Sequence, residues 1–242
     1  MSDTMIAIGG CHVAGYKVGE ENSFVNVITK ATGFILSHRA PQYQIKKTIG
    51  IREKINNCHP EIVLLQLGNH EFNASLKQIL KKKENNIPGE NQYVIYKEDN
   101  LSKKPYMLPV VSKRKTGFFL KNLAAPLIWT YLAYKNFKHL NNIRHIIKEN
   151  PGTRFVILSP IPCLNASDNY IRRKAAGWFK WIFGGLSNVK YIDLFRYIAV
   201  DKRYFEDAAH LNTTGHRILG RIVSQYIKTI KKDSQKPLAV AV

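Results

Sequence analysis

The sequence predicts an α/β domain, a three-layer α/β/α sandwich around a mostly parallel central sheet. Two observations carry that prediction. Short unbroken apolar runs, each closed by Gly or Pro, read as strands covered on both faces, because such strands do not alternate with polar residues. The segments between them have helical spacing, and strand, helix, strand in succession requires right-handed parallel crossovers. With 242 residues, 45% of them hydrophobic, the chain has apolar material for one sizeable core. It reads as a single domain over residues 1–232.

Ile6 to Ile8, followed by Gly9-Gly10, is the first strand, with a tight turn behind it. Ile62 to Leu67, bounded by Pro60 and Gly68, is the second; Phe155 to Leu158, closed by Pro160 and Pro162, is the third; Val189 to Leu194 is the fourth. The last helix begins near Thr214, where Ile218, Leu219, Ile222, Val223, Tyr226, Ile227 and Ile230 share one face. Residues 81–115 are polar and broken by Pro88-Gly89, Pro105 and Pro109; they read as an insertion with one strand at Tyr93 to Tyr96. Residues 233–242 read as a flexible tail. In an open parallel sheet the site lies beyond the carboxyl ends of the strands, which points to Gly10 to Gly15, Gly68 to Glu71 and Pro160 to Asn165.

Lys and Arg number 37 against 17 Asp and Glu, a formal charge of +20. Such a surface attracts polyanions, whether anionic lipid headgroups, nucleic acid or acidic glycans, and charge alone does not choose among them. No specific nucleic-acid motif is present. Cys11, Cys58 and Cys163 are too few and too scattered for a disulfide framework and suit a reducing compartment. Met1 to Tyr16 lacks the basic and long apolar regions of a signal peptide, so the expected location is the cytoplasm. Gly117 to Phe137 approaches membrane-spanning length, but Lys121, Asn122, Pro126 and Lys135 interrupt it, which favours a buried or interfacial helix. Arg172-Arg173-Lys174 beside Trp178 and Trp181 suits peripheral contact with an anionic membrane; a lid, a sugar-stacking surface and plain core packing are the competing readings.

The chemistry lies in two short segments. Gly9-Gly10-Cys11-His12-Val13-Ala14-Gly15-Tyr16 puts a nucleophile-capable side chain on a glycine-flanked turn from strand to helix, where converging amides favour an anion. The bland alternative is a buried structural cysteine. Asp207-Ala208-Ala209-His210-Leu211-Asn212 places a carboxylate three residues before a histidine, so that it can orient the ring through Nδ1 and leave Nε2 free as a base. The bland alternative there is a helix-start turn capped by Asp207 or Asn212. Cys11, His12, His70, Asp207 and His210 include the residue types that bind zinc, but no short paired-ligand spacing supports a metal site.

Together with a third segment, Pro60 to Glu71, these two resemble the successive sequence blocks of the SGNH (GDSL-type) hydrolases. Gly9 to Tyr16 looks like the Gly-Asp-Ser-Leu block with Gly10 and Cys11 in place of Asp and Ser. The Gly68-Asn69-His70-Glu71 stretch is similar to the Gly-x-Asn-Asp block, and Asp207 to His216 to the closing Asp-x-x-His block. The resemblance implies a flavodoxin-like fold and an ester or thioester hydrolase or acyltransferase, acting on an O-acylated carbohydrate or a lipid-like ester. It implies Cys11 as nucleophile, His210 as base and Asp207 as orienter. The oxyanion hole would be the Cys11 amide, a second amide near Ala40, and the side chain of His70 or Asn69, with Gly10, His12 and Gly68 close by. No cofactor is implied. The alternative is a catalytically inactive relative that binds an acylated or polyanionic ligand.

Overall fold

The computed structural model describes residues 3–40, 44–73 and 115–234. The expected insertion at 81–115, but for Lys115, which begins a helix, its strand at Tyr93 to Tyr96, and most of the expected tail lie outside the described residues, except that a helix reaches Ser234. Five strands form one all-parallel sheet: β1 Thr4–Gly9, β2 Ile35–Ala40, β3 Ile62–Gln66, β4 Arg154–Leu158 and β5 Val189–Ile192. Among the described residues six α-helices accompany them: α1 Cys11–Ala14, α2 Phe24–Thr32, α3 Thr48–Cys58, α4 Lys115–Glu149, α5 Ala166–Phe183 and α6 Thr213–Ser234.

The strand order is β2-β1-β3-β4-β5. The chain leaves β1 towards one side and returns to build the rest of the sheet on the other, so the switch point falls between β1 and β3. Their registers run Ile6 to Val63 and Gly9 to Gln66, which brings the carboxyl ends of both strands to one level.

Alternate residues of the central strands supply two separate cores. Ile6, Ile8, Val63, Leu65, Phe155 and Ile157 face α3, α4 and α5. Met5, Ala7, Leu64, Val156 and Leu158 face α2 and α6 through Phe24, Ile28, Leu219, Val223 and Ile227. Both faces are sealed, so β1, β3 and β4 read as continuous apolar runs. β2 went unassigned in the sequence for the converse reason: it is an edge strand, Ile-Leu-Ser-His-Arg-Ala, with no fully buried residue. Gly117 to Phe137 is part of the 35-residue helix α4, with Pro126 inside it. Among the described residues no helix is long and apolar enough to cross a membrane.

Helices α2 and α6 approach closely at Gly220 of α6. A Cβ there would stand 2.5 Å from Val27 Cβ and 3.1 Å from the Phe24 carbonyl oxygen of α2. Alanine would gain about 1 kcal/mol of helix propensity. The clash with a fixed backbone oxygen and a β-branched side chain forces the helices apart, a penalty of about 2–3 kcal/mol that outweighs the gain. Gly220→Ala should therefore lower the thermal midpoint by about 2–6 °C, read by circular dichroism. An unchanged or higher midpoint would mean that α2 and α6 separate freely.

Candidate active site

Beyond the ends of β1 and β3 lies a cleft of about 450 Å³. It gathers residues from four segments: Gly10, Cys11, His12 and Tyr16 after β1; Gly68 to Glu71 after β3; Arg172 from α5; Ala209 and His210 before α6. Gly68 turns the chain there at φ +91°, a left-handed conformation that a side chain resists, with Pro160, Phe179 and Phe72 crowding the space a Cβ would take.

The Asp207 to His210 turn is held by the carboxylate. Asp207 Oδ1 accepts the Ala209 and His210 amides at 2.8 and 2.9 Å, and His210 Nδ1 lies 2.9 Å from both carboxylate oxygens. Lys17 Nζ stands 3.3 Å from Oδ2. Burial alone would raise this carboxyl, but the hydrogen bonds from Ala209 and from the His210 ring and amide outweigh it and hold Asp207 below the usual carboxylate range. Capping of α6 falls to Asn212, whose Oδ1 accepts the Gly215 amide at 3.0 Å. Asp207 is thus left to the histidine. An ionised Asp207 fixes the ring proton on Nδ1 and leaves Nε2 unprotonated.

Cys11 opens α1, and its Sγ lies 3.7 Å from Nδ1 of its neighbour His12. His210 lines the same cleft, with its ring stacked on His12 at 5.5 Å between centroids. The hydrogen bond of the thiol in this state is therefore to His12 and that of His210 is to Asp207. Burial pushes the Cys11 thiol up from its ordinary value, only partly offset by the positive charge of Arg172. Alkylation of Cys11 by iodoacetamide should accordingly keep accelerating as pH rises through 9, since the thiolate reacts and the thiol does not. A rate plateau below pH 7, followed by mass spectrometry of the Cys11 peptide, would contradict a raised thiol.

His12 is the residue that sequence reasoning placed nearby without a role. It is buried, and burial, then the neighbouring His216, His210 and Arg172, drives its pKa well below the ordinary value, so the ring is neutral. Its Nε2 accepts the Leu211 amide at 3.3 Å, which puts the single ring proton on Nδ1, towards Cys11. Asn69 Nδ2 lies 3.2 Å from the same Nδ1, because Asn69 Oδ1 is committed to the Ile161 amide at 2.7 Å. Two N–H groups thus converge near Cys11, whose sulfur is a weak acceptor beside them. A corner rich in donors and short of acceptors is one that a developing oxyanion or thiolate completes.

Of the other expected oxyanion donors, His70 is an exposed member of the cleft lining, whereas Asn69 is half-buried and tied in place. Ala40 closes β2 opposite Ile8, packs against the core and is not among the residues lining the cleft; residues 41–43, which follow it, lie outside the described residues.

Arg172 corrects the expected surface cluster of Arg172-Arg173-Lys174. It is 3% exposed, lines the cleft, and donates from Nη1 to the Ile161 carbonyl at 2.9 Å and from Nη2 to the Asn69 carbonyl at 3.0 Å. It clamps the loops after β3 and β4 together. The periodicity of α5 held the signal: Arg172, Ala176, Phe179 and Phe183 share one buried helical face. Of the two tryptophans, Trp178 packs among Phe72, Trp129 and Phe137, while Trp181 is 74% exposed. Among the described residues no group of three His, Cys, Asp or Glu side chains is arranged to hold a metal ion.

No protein-family model matches the chain, and no curated protein sequence matches it. Solved structures do. The chain is similar to a G-D-S-L family lipolytic protein from Desulfitobacterium hafniense, with a TM-score of 0.59 and 11% identity over 93% of this chain and 99% of that one. It is similar to a lipase/acylhydrolase from Enterococcus faecalis, at 0.56 and 13% identity over 95% and 97% of the two chains. A family 3 carbohydrate esterase from Clostridium thermocellum gives 0.55 and 12% identity over 98% and 100%.

Proposed function

The chain has the fold of the SGNH hydrolases, and from that premise we propose that it is an acyl-ester or thioester hydrolase or acyltransferase with Cys11 as nucleophile. One observation carries the proposal: a histidine clamped by an ionised carboxylate faces the same cleft as a cysteine on a strand-to-helix turn. In this reading Cys11 Sγ attacks the carbonyl carbon as His210 Nε2 takes the thiol proton, and the imidazolium is stabilised by Asp207. Proton transfer accompanies attack, because a half-buried thiol with a raised pKa is not ionised beforehand. The oxyanion is held by the Cys11 amide and by the Asn69 side chain rather than His70, with the His12 N–H as a further donor. His210 then returns its proton to the leaving alkoxide or thiolate, and water or an acceptor alcohol releases the acyl group from Cys11 by the same base. The bond from His12 to the resting thiol is a contact that must yield before His210 engages, in keeping with catalytic hydrogen bonds that tighten only with substrate bound.

The lining also bears on the acyl group. Among the described residues the cleft presents Gly, Ala, amides, histidines, Tyr16 and Arg172, and no Leu, Ile, Val, Phe or Met. A long acyl chain gains about 0.8 kcal/mol for each CH₂ it buries against apolar walls, and the described lining of this cleft offers it no aliphatic side chain larger than alanine. The test is a panel of aryl esters and thioesters from acetyl to octanoyl. Turnover should be greatest for acetyl or propionyl and fall by about tenfold or more by octanoyl. No turnover above buffer for any member would favour the second reading, a binding protein for an acylated or polyanionic ligand, which the hydrogen bond of the Cys11 thiol to His12 in place of His210 also suits.

A further inference from the structure

The cleft continues into a second cavity of about 270 Å³, and Gln44, His70, Glu71 and Asn73 line both, so the two form one groove. The second cavity adds Lys46, from the segment before α3, and Tyr131, Lys135 and His139 from one face of α4. Lys135 Nζ lies 5.9 Å from the centre of the Tyr131 ring, which is 46% exposed. Glu71 is the carboxylate of this lining, and its Oε1 already accepts the Ile45 amide at 2.8 Å. Among the described residues neither Lys46 nor Lys135 belongs to an ion pair, and neither does Arg172 further along the groove. Among the described residues the groove therefore carries three cations, Lys46, Lys135 and Arg172, against one carboxylate, Glu71.

We propose that the second cavity binds an anionic group, a carboxylate or a phosphate, on the alcohol portion of the substrate, held between Lys46 and Lys135, so that the enzyme selects acylated acidic molecules over neutral esters. The inference rests on the hydrolase reading and extends it from the reacting carbonyl to the leaving group. Two cations lining one cavity from separate segments can select by position, which the diffuse +20 charge cannot. The Tyr131 face offers a ring-shaped neighbour a stacking surface beside that charge.

The test is equilibrium binding by titration calorimetry to the full chain at low and at moderate salt. The probes are a galacturonic acid trimer against the neutral galactose trimer, and galactose 1-phosphate against galactose. At low salt at least one acidic probe should bind about tenfold or more tightly than its neutral partner, as charge-assisted hydrogen bonds require. Added salt and the double substitution Lys46→Gln, Lys135→Gln should each remove most of that preference, and an unchanged affinity for the neutral trimer shows that the groove of the variant is intact. The two arms distinguish a carboxylate site from a phosphate site. No preference in either arm, or a preference that survives the double substitution, would overturn the proposal. Hydrolysis is read separately: a chain that binds the acidic probe selectively but cleaves no ester loses the hydrolase reading and keeps the anion site, and the converse result loses the anion site alone.

Discussion

Cys11→Ala should abolish ester turnover, lowering kcat by a factor of about 10³ or more while the protein remains folded. The size follows from what the thiol does in the proposed reaction: without it no acyl-enzyme forms, and the cleft retains only oxyanion stabilisation and binding. Folding should survive because Cys11 is only half-buried, forms no disulfide, and its side-chain contact with His12 is long, at 3.7 Å. Burst kinetics with an aryl acetate and mass spectrometry of a trapped acyl-Cys11 peptide check the same step in the wild-type chain. A Cys11→Ala variant that turns over as fast as wild type would remove the nucleophile from the proposal.

Asp207→Asn should lower kcat by about 10³ to 10⁴ with a small effect on KM. An asparagine oxygen can still accept the Ala209 and His210 amides, so the turn keeps its shape. Its amino group then faces His210 Nδ1, the ring must carry its proton on Nε2 instead, and the base is lost. The same carboxylate links the turn to pH. Its pKa is depressed in the folded state, so its stabilising contribution is complete above the ordinary carboxylate range and fades as pH falls through the lowered folded value. Acid unfolding of Asp207→Asn should show a smaller loss of stability across that acidic window than wild type does. Wild-type kcat in Asp207→Asn would show that the pair is a structural turn, and equal acid sensitivity of the two proteins would show that folding does not depress the Asp207 pKa.

Much of the architecture was legible because the physics that makes it is local. β1, β3 and β4 are sealed on both faces, which leaves an unbroken apolar run in the chain. The helix over Thr213–Ser234 carries its buried face as a 3.6-residue period. β2 left no such trace, since an edge strand has neither face fully buried. The Asp207 and His210 contact spans three residues of one turn and is readable from spacing.

The remaining parts of the site depend on distance along the chain. The sequence by itself determined the α/β class, the two segments that carry a thiol and a carboxylate-bound histidine, and the strong positive charge. Tertiary structure alone decided that Asn69 turns its amino group to His12 across 57 residues, that Leu211 sets the His12 tautomer across 199, and that Arg172 leaves the surface to clamp Asn69 across 103. The physical reason is that strand order, absent from any local pattern, chooses which loops meet. Once they meet, unsatisfied carbonyls and ring nitrogens at the ends of the strands take whichever donors the fold brings within reach.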